Sequence, residues 1–225
     1  MAQMSETEEL AKLKRRQERN MRRAHAKGLM QGILSMLKPG DMVLDCGANI
    51  GEVATPLADT GATLHAFEPD PYAFGELERA IADRPNVTLH NAAVGLSDGS
   101  TRLMRAVNFA DRPKGASVKS TVIPGGRKID ETADRTIEVA LVDLRRVIRE
   151  AIAQCGEVAF LKMDIEGAEL ELLEHMLAED LFANVRLTVA ETHERKFRHL
   201  APRFQALRTT VAERYPTTQV YLDWI

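Results

Sequence analysis

Residues 43–51 read V-L-D-C-G-A-N-I-G, a turn with two glycines between a short apolar run and a stretch with helical character. The apolar run at 42–44 is typical of a buried strand, and 52–60 has the pattern of a helix. Gly47 and Gly51 permit the backbone conformations of a tight turn and let a ligand approach without meeting a Cβ atom. The start of the following helix adds unpaired N–H groups. The stretch therefore predicts a polar, nucleotide-like ligand at the carboxyl end of the strand.

A second acidic residue, Glu68, ends the next apolar run and follows Asp45 by 23 residues. That separation is close to the ~20-residue offset at which a carboxylate on the second strand meets a ribose hydroxyl. A carboxylate there accepts hydrogen bonds from two hydroxyls and repels a 2′-phosphate. Glu68 therefore predicts an adenosine ligand with a free ribose.

The turn departs from the G-x-G-x-x-G pattern of dinucleotide sites, because Asp45 stands where such a site has its first glycine. A carboxylate beside a diphosphate would be repelled, which argues against a nicotinamide-dependent oxidoreductase. An acid suits a cation instead. The pattern resembles the first motif of class I S-adenosylmethionine-dependent methyltransferases, in which the acidic turn faces the positively charged methionine end of the cofactor.

The composition is that of a protein with one sizeable core. The chain has 225 residues, 44% hydrophobic, with a formal net charge of −3, and we expect an N-terminal extension at 1–40 and one domain at 41–225. Neither the charge nor the 5% aromatic content favours nucleic-acid binding. Cys46 and Cys155 lie on separate predicted elements and indicate reduced thiols. Without an apolar run near the ~18 residues of a membrane span, we expect a cytoplasmic protein with no membrane contact.

The N-terminal extension is predicted to be helical and basic. Residues 5–38 contain no proline, and Ser5 followed by Glu8 has the spacing of a helix cap. Its middle carries Lys12, Lys14, Arg15, Arg16, Arg19, Arg22, Arg23 and Lys27. A solvated face, or an arm that makes a homodimer with a partner subunit, is the simpler interpretation. A contact with an anionic substrate or RNA is the alternative.

From residue 41 onward, apolar runs alternate with helical patterns. This alternation predicts an α/β, Rossmann-like fold with a doubly wound, mostly parallel sheet. The predicted strands are 42–46, 63–68, 87–91, 158–164, 185–191 and 219–224. The predicted helices are 52–60, 72–82 after Pro71, 144–154 after Asp143, and 167–178. Ligands of such sheets bind at the carboxyl ends of the strands, where this sequence has Asp45, Glu68, Asn91, Asp164 and Glu191.

The alternation breaks at about 96–141. The S-D-G segment at 97–99 is typical of a hairpin turn, and 101–107 and 136–141 alternate like strands. We expect a β-hairpin-like insertion, partly mobile around 110–134, that could cover the substrate. A surface loop without function is the alternative.

A second informative stretch, 158–169, reads V-A-F-L-K-M-D-I-E-G-A-E. Its apolar part predicts a buried strand, and the three acids at its end cannot all be buried without partners, so we expect them to line a cleft. Lys162, between apolar neighbours, is a candidate partner for one of them.

Here the chain resembles the FkbM family of methyltransferases, whose members carry a K-x-D-x-E-G-x-E signature at the end of the fourth core strand. Further segments agree with the resemblance: D-C-G-A-N-I-G from Asp45, F-E-P from Phe67, N-A-A-V-G from Asn91 with S-D-G following, V-D-L from Val142, and A-E-T-H from Ala190. Together they cover about 42–193, so the N-terminal helix and the tail after His193 lie outside the resemblance.

The resemblance implies a class I methyltransferase fold and methyl transfer from S-adenosylmethionine, usually to a hydroxyl of a sugar, polyketide or other secondary metabolite. By position, it implies that the methionine part of the cofactor is held by Asp45, Gly47, Asn49 and Gly51. Glu68 would bind the ribose hydroxyls, and Asn91 with Ala92 would flank the adenine. Asn91 stands near the place of an acid that often follows the third strand in class I enzymes, so this sequence departs from the common pattern there.

Methyl transfer to an alcohol needs alignment of the reactants and a proton acceptor. The candidates are Asp164, Glu166, Glu191 and His193. We assign Asp164 to the cofactor or acceptor side and His193 to the base, since an unperturbed imidazole has a pKa of ~6.5. The simpler alternatives are an exposed loop histidine, and Glu166 and Glu169 as helix caps. A divalent metal held by Asp164, Glu191 and His193 is conceivable, although we expect no resident metal.

The sequence thus predicts an O-methyltransferase acting on a small molecule or glycan. A methyltransferase-like binding or assembly module is the non-enzymatic alternative, and it predicts cofactor binding without turnover, or neither. Methylation of an adenine base is disfavoured because D-I-E-G replaces an [ND]-P-P-[YFW] tetrapeptide after the fourth strand. Protein and RNA substrates have little support.

Overall fold

The computed structural model describes residues 6–132 and 136–224, which belong to two compact units. The first contains a single long helix, α1 (Glu6–Met36). Among its described side chains, Leu10, Leu13 and Met21 are exposed apolar groups. A homodimer through this helix stays a prediction. None of the helices in the described ranges has the length and apolar content that crossing a bilayer requires.

The second unit extends from Leu37 to Trp224 and contains the strands. In chain order these are β1 (Met42–Cys46), β2 (Thr63–Phe67), β3 (Val87–His90), β4 (Ala92–Gly95), β5 (Gly99–Leu103), β6 (Arg105–Ala106), β7 (Ile129–Asp130), β8 (Ile137–Asp143), β9 (Phe160–Met163), β10 (Thr188–Ala190) and β11 (Val220–Tyr221). The further helices are α2 (Ala54–Asp59), α3 (Pro71–Ile81), α4 (Pro113–Ala116), α5 (Leu144–Cys155), α6 (Glu169–Ala178) and α7 (Ala201–Arg214). Short 3-10 helices occupy Ser117–Lys119, Leu181–Asn184 and Arg198–Leu200.

A six-stranded sheet in the order β11-β10-β9-β1-β2-β3 forms the centre of this unit. Each of its neighbouring pairs is parallel. The chain moves outward in opposite directions from β1, to β2 on one side and to β9 on the other, so a crevice forms at their carboxyl ends. In register, Cys46 lies beside Phe67 on β2 and Met163 on β9. The predicted Rossmann-like fold is confirmed, and its strands are shorter than predicted by up to four residues.

The predicted β-hairpin-like insertion is confirmed as well. β5 pairs antiparallel with β8, and β8 also pairs parallel with β4. Between them the chain forms α4, a 3-10 helix and the small β6–β7 pair. The predicted mobility of 110–134 stays a prediction, and the end of that range lies outside the described residues.

Two predicted helix starts are capped as their sequences suggest. The Asp70 side chain accepts a hydrogen bond from the Tyr72 N–H at 2.9 Å, and Pro71 occupies the first turn of α3. The Asp143 side chain accepts from the Arg145 N–H at 3.0 Å and begins α5. These caps fix the direction in which each helix leaves its strand.

The core lies between the central sheet and helices that bury one face each. Every residue of β1 is buried, as expected for a central parallel strand. The buried helix faces are Ala73, Leu77 and Ile81 on α3, and Leu144, Ile148 and Ala151 on α5. This spacing of three or four residues is that of one face of a helix.

Helix α7 was not predicted. Its buried residues are Phe204, Leu207 and Val211, which follow the spacing of a helix face. The pattern is weak in sequence because polar residues surround three isolated apolar positions. Packing on α6 accounts for the helix better than its own propensity does.

Candidate functional site

A cavity of about 80 Å³ opens at the carboxyl ends of β1, β2 and β9. The residues predicted to bind the cofactor that line it are Gly47, Asn49, Glu68, Ala92 and Asp164. Residues of the insertion close it, among them Ser117, Thr121 and Val122. The predicted residues outside its lining are Asp45, Gly51 and Asn91.

Gly47 occupies a position that only glycine fits. Its φ is +82°, and a Cβ atom built on it would lie 1.8 Å from the carbonyl oxygen of Asp164. The turn is held by two N–H groups, those of Gly47 and Ala48, which both donate to the Phe67 carbonyl at 3.0 Å. The missing side chain therefore lets the turn after β1 lie directly against the end of β9.

Glu68 is a nearly buried carboxylate with both oxygens bound to backbone. Its Oε2 accepts from the Asn49 N–H at 2.8 Å, and its Oε1 accepts from the Asp70 N–H at 2.8 Å. Burial raises the pKa of Glu68 to about 7, against the opposing effect of these hydrogen bonds. Glu68 can thus accept hydrogen bonds from a ligand in its ionised form, at a pH near neutrality.

Asn49 links the turn to the insertion. Its φ of +47° is a left-handed conformation that asparagine tolerates better than most residues. Its Oδ1 accepts from the Ile50 N–H at 2.9 Å, and its Nδ2 donates to Ser117 Oγ at 3.3 Å. The side chain therefore faces the cavity from the turn and contacts the segment that covers it.

Asp45 is fully buried and paired with Lys162. The Lys162 Nζ donates to Asp45 Oδ1 and to the Gly47 carbonyl, both at 2.9 Å. Burial acts to lower the pKa of Lys162, but the charges of Asp45 and Asp164 and the hydrogen bond to Asp45 together outweigh burial and raise that pKa above its usual value. Lys162 was predicted to pair with one of the acids that follow its own strand, but its hydrogen-bonded partner is Asp45 on the neighbouring strand β1. Asp45 Oδ2 has no partner among the described residues, and its contact with a ligand stays a prediction.

Gly51 and Asn91 have supporting positions beside the cavity. Gly51 has a φ of +92°, and a Cβ there would lie 3.1 Å from Leu77 Cδ1. The Asn91 side-chain amide donates to the Glu68 carbonyl at 2.8 Å, so it holds the backbone of Glu68. The contact of Asn91 with adenine stays a prediction, and its observed partner is the protein's own backbone.

Four carboxylates surround His193 at the ends of β9 and β10. The imidazole Nδ1 lies 3.0 Å from Glu169 Oε1, and Nε2 lies 3.4 Å from Glu166 Oε2. Nε2 is also 3.9 Å from both Asp164 Oδ1 and Glu191 Oε1. The structure therefore brings together the three predicted catalytic residues. The His193 side chain is only 10% exposed, so the alternative of an exposed loop histidine is wrong.

The charges of this acidic cluster (Asp164, Glu166, Glu169 and Glu191) determine which of its groups can take a proton. Burial acts to lower the pKa of His193, but Glu166 and Glu169 outweigh it and raise that pKa to about 11. The imidazole is then protonated at neutral pH, so the structure argues against His193 as the base. Burial, with the nearby charge of Asp164, raises the pKa of Glu191 to about 7. Glu191 is the better-suited proton acceptor.

Two members of the acidic cluster have fixed partners of their own. Glu169 is fully buried, and its carboxylate accepts from the Gly167 N–H at 2.8 Å and the His193 N–H at 3.1 Å. Glu166 Oε2 accepts from the Lys196 Nζ at 2.6 Å. Sequence analysis did not single out Lys196, because spacing along the chain gives no sign that it meets a carboxylate 30 residues earlier.

Asp164, Glu191 and His193 also have a geometry that could hold a metal ion. Each offers one ligand atom, and these atoms lie within 4.8 Å of one another. Two carboxylates and an imidazole suit a hard or borderline divalent cation, provided that the imidazole is neutral. The expectation of no resident metal stays a prediction.

Comparison with known proteins identifies relatives of this chain. A profile of the Methyltransferase FkbM domain matches residues 45–215. The chain is 33% identical over 181 residues to the 31-O-demethyl-FK506 methyltransferase FkbM of Streptomyces tacrolimicus, which covers 70% of this chain and 67% of that protein. It is 31% identical over 102 residues to the Ribosomal RNA small subunit methyltransferase H of Novosphingobium aromaticivorans, which covers 41% of this chain and 31% of that protein.

Among solved structures, a Methyltransferase FkbM from Methylobacillus flagellatus KT aligns with a TM-score of 0.37 and 21% identity. The alignment covers 63% of this chain and 31% of that one. The chain therefore spans about two thirds of the Streptomyces relative and about a third of the other two proteins.

Proposed function

The chain belongs to the FkbM family of methyltransferases, and we propose that it transfers a methyl group from S-adenosylmethionine to a hydroxyl of a small molecule or glycan. The observation that carries the proposal is the juxtaposition of two sites. The cavity holding Glu68 and Gly47 adjoins the acidic cluster through Asp164, which belongs to both. The Streptomyces relative supports the oxygen acceptor, since its name states that it methylates a 31-O-demethyl compound.

The cavity suggests how the cofactor is bound. Glu68 would accept hydrogen bonds from the ribose hydroxyls, Ala92 would pack on the adenine, and Asn49 and Asp164 would hold the methionine part. At about 80 Å³ the cavity is smaller than the ~300 Å³ at which ligand pockets begin. Residues 117–122 of the insertion must therefore move outward when the cofactor enters. That movement would break several hydrogen bonds of the segment, among them the bond from the Thr121 hydroxyl to the Glu166 carbonyl at 2.7 Å and the backbone pair of Met104 and Thr121 at 2.8 and 2.9 Å.

The reaction is an in-line displacement. S-Adenosylmethionine would supply an electrophilic methyl group: the acceptor oxygen would form a bond to that carbon as the carbon–sulfur bond breaks, which would leave a neutral thioether. The hydroxyl proton passes to the Glu191 carboxylate, which is 39% exposed and can release it to solvent. His193, held as an imidazolium by Glu169, offsets the negative charge of the acidic cluster. Its role is to position and neutralise the acids.

A divalent cation is a second way to activate the hydroxyl, favoured by the 4.8 Å grouping of Asp164, Glu191 and His193. It would lower the pKa of a bound hydroxyl and displace the imidazole proton. The two mechanisms predict different effects of EDTA on turnover. With Glu191 as the base, turnover survives the chelator; loss of turnover that Mg²⁺ restores would establish the metal mechanism.

Methyl-labelled S-adenosylmethionine tests the proposed function. We expect the wild-type protein to transfer label into a small-molecule fraction of a cell extract. Glu191→Gln should lower the rate by about 10² to 10⁴-fold, the usual contribution of a general base, while Glu150→Gln, an exposed acid on α5, should not. No labelled product from the wild-type protein, with cofactor bound, would favour the non-catalytic binding module.

We also propose a cytoplasmic location. Cys46 and Cys155 are both free thiols, which suits a reducing compartment.

A further inference from the structure

A second cavity, of about 490 Å³, opens beside the acidic cluster. Its lining contains no acid and consists of Gly125, Arg127, Arg195, Lys196, Arg198 and His199. We call it the arginine cavity. Within the described ranges, no hydrogen bond or ion pair occupies the guanidinium groups of Arg127, Arg195 or Arg198, and all three residues are exposed. Two acids that contact lining residues do so through other groups, since Glu131 accepts from the Gly125 N–H at 2.6 Å and Glu166 accepts from the Lys196 Nζ at 2.6 Å.

Some exposed arginines elsewhere in this unit have carboxylate partners, whereas Arg102 and Arg112 have none within the described ranges. Arg146 binds Asp98 at 2.8 Å, and Arg203 binds Glu174. With 33 acidic against 30 basic residues, the chain has enough carboxylates to pair the cavity arginines too. Gathering unpaired like charges around one space is unfavourable unless an anion occupies it. Arg127, Arg195 and Arg198 differ from a single unpaired arginine because all three line the same space.

The segment that carries three of these cations is firmly held. Phe197 is fully buried, and a Cβ on Gly167 would lie 2.2 Å from its ring. A Cβ on Gly126 would lie 3.3 Å from the same ring. The N–H groups of Lys196 and Phe197 donate to the His193 carbonyl at 2.9 and 3.0 Å. The arginine cavity therefore has a preorganised wall, which lowers the entropy lost on binding a ligand.

One ion pair separates the arginine cavity from the catalytic groups. Lys196 lines the cavity and binds Glu166, which lines the cofactor cavity and lies 3.4 Å from His193 Nε2. A ligand bound to the arginines would therefore have only the Lys196 and Glu166 side chains between it and Glu191.

We propose that the arginine cavity binds the phosphate of a phosphorylated small-molecule acceptor, whose hydroxyl then lies at the acidic cluster. This inference rests on the proposed methyl transfer and names the class of its substrate. Guanidinium groups match phosphate oxygens with paired hydrogen bonds, and several arginines favour a doubly charged phosphate over one carboxylate. The volume suits a small molecule, and the net charge of −3 opposes a long polyanion.

Isothermal titration with inorganic pyrophosphate tests the proposal on the full chain. We expect saturable binding that Arg127→Gln and Arg198→Gln each weaken about tenfold, and the double variant about 100-fold, because each loses a charge-assisted hydrogen bond. Arg203→Gln is the matched control, since it removes the same charge from α7 and should leave binding unchanged. Binding of S-adenosylhomocysteine should be equal in all variants.

Three results would overturn the proposal. Pyrophosphate that fails to bind, or that Arg203→Gln weakens as much as Arg127→Gln, would show that the arginine cavity is not an anion site. A single-stranded RNA oligonucleotide that binds more tightly than pyrophosphate and depends on the same arginines would replace the small molecule with RNA. Loss of S-adenosylhomocysteine binding alone, with pyrophosphate bound as expected, would refute the methyl transfer and leave the anion site.

Discussion

At the scale of single residues, the site depends on a position where a Cβ atom would not fit. Gly47 has a positive φ, and a Cβ atom added to it would clash with the carbonyl oxygen of Asp164. We predict that Gly47→Ala destabilises the fold by at least ~1–3 kcal/mol, from backbone strain alone, and abolishes binding of S-adenosylhomocysteine. Urea unfolding measures the first effect and titration the second. Gly75→Ala, on α3 with open space around it, should stabilise by about 0.5–1 kcal/mol.

Glu68 gives a pH dependence to cofactor binding. Its pKa is raised to about 7 by burial, and ribose hydroxyls donate to the ionised form. Below pH 7 the carboxyl group is protonated and binds ribose weakly, so we predict that the affinity for S-adenosylhomocysteine rises as the pH increases through 7. Burial disfavours the ionised form of Glu68 in the folded protein. Without a ligand, the free energy of unfolding therefore falls as the pH rises from the ordinary pKa of a glutamate to about 7, the pKa of Glu68 in the folded state.

Titrations on either side of pH 7 check the prediction for Glu68. In Glu68→Gln the rise in affinity should disappear, because the amide does not titrate. A rise that persists in Glu68→Gln would assign the pH dependence to another group.

The sequence predicted which residues meet at the strand ends, but it could not predict which of them are protonated. The predicted parallel sheet was enough to place Asp164, Glu191 and His193 close together. The reassignment of the base from His193 to Glu191 needed the distances of Glu166 and Glu169 from the ring. These acids lie 27 and 24 residues before His193, so their joint effect on its pKa depends on folded geometry.

At the scale of elements, β1 and β9 are joined by the buried pair Asp45–Lys162. Lys162→Met would leave Asp45 as an uncompensated buried charge, and we predict a loss of stability of ~3–5 kcal/mol. Adding Asp45→Asn should recover much of that loss, because the stranded charge is then removed. Thermal or urea unfolding of the single and double variants measures the coupling between the two residues. A double variant no more stable than Lys162→Met would show that the pair itself, and not the stranded charge, stabilises the strands.

The elements predicted well are those whose patterns are local. Pro71 and Asp143 mark the starts of α3 and α5, and the apolar run before Cys46 matches β1 residue by residue. The insertion was predicted as a hairpin with a loop, and its α4 and 3-10 turn were missed. Those short elements are set by contacts such as the Thr121 hydroxyl on the Glu166 carbonyl, at 2.7 Å, which joins residues 45 apart.

At the scale of the whole molecule, the doubly wound sheet explains why acids scattered along the sequence form one site. Parallel strands end at the same edge, so the turn after β1, Glu68 after β2, Asp164 after β9 and Glu191 after β10 are neighbours. The arginine cavity was not foreseen, because it joins Arg127 of the insertion to the segment after β10. A run of basic residues at 195–199, R-K-F-R-H, was the local signal.

Calorimetric titration with S-adenosylhomocysteine and, separately, NAD tests the central claim most directly, which is that the β1–β2 crevice binds an adenosine with a sulfur-containing tail. We predict a Kd on the order of micromolar for S-adenosylhomocysteine and no binding of NAD, since the turn after β1 lacks the first glycine that a dinucleotide site needs for its diphosphate. Glu68→Ala should weaken the complex about 100-fold through the loss of two hydrogen bonds to a charged group. A wild-type protein that does not bind S-adenosylhomocysteine, or that binds NAD equally well, would contradict the assignment of this crevice as the cofactor site.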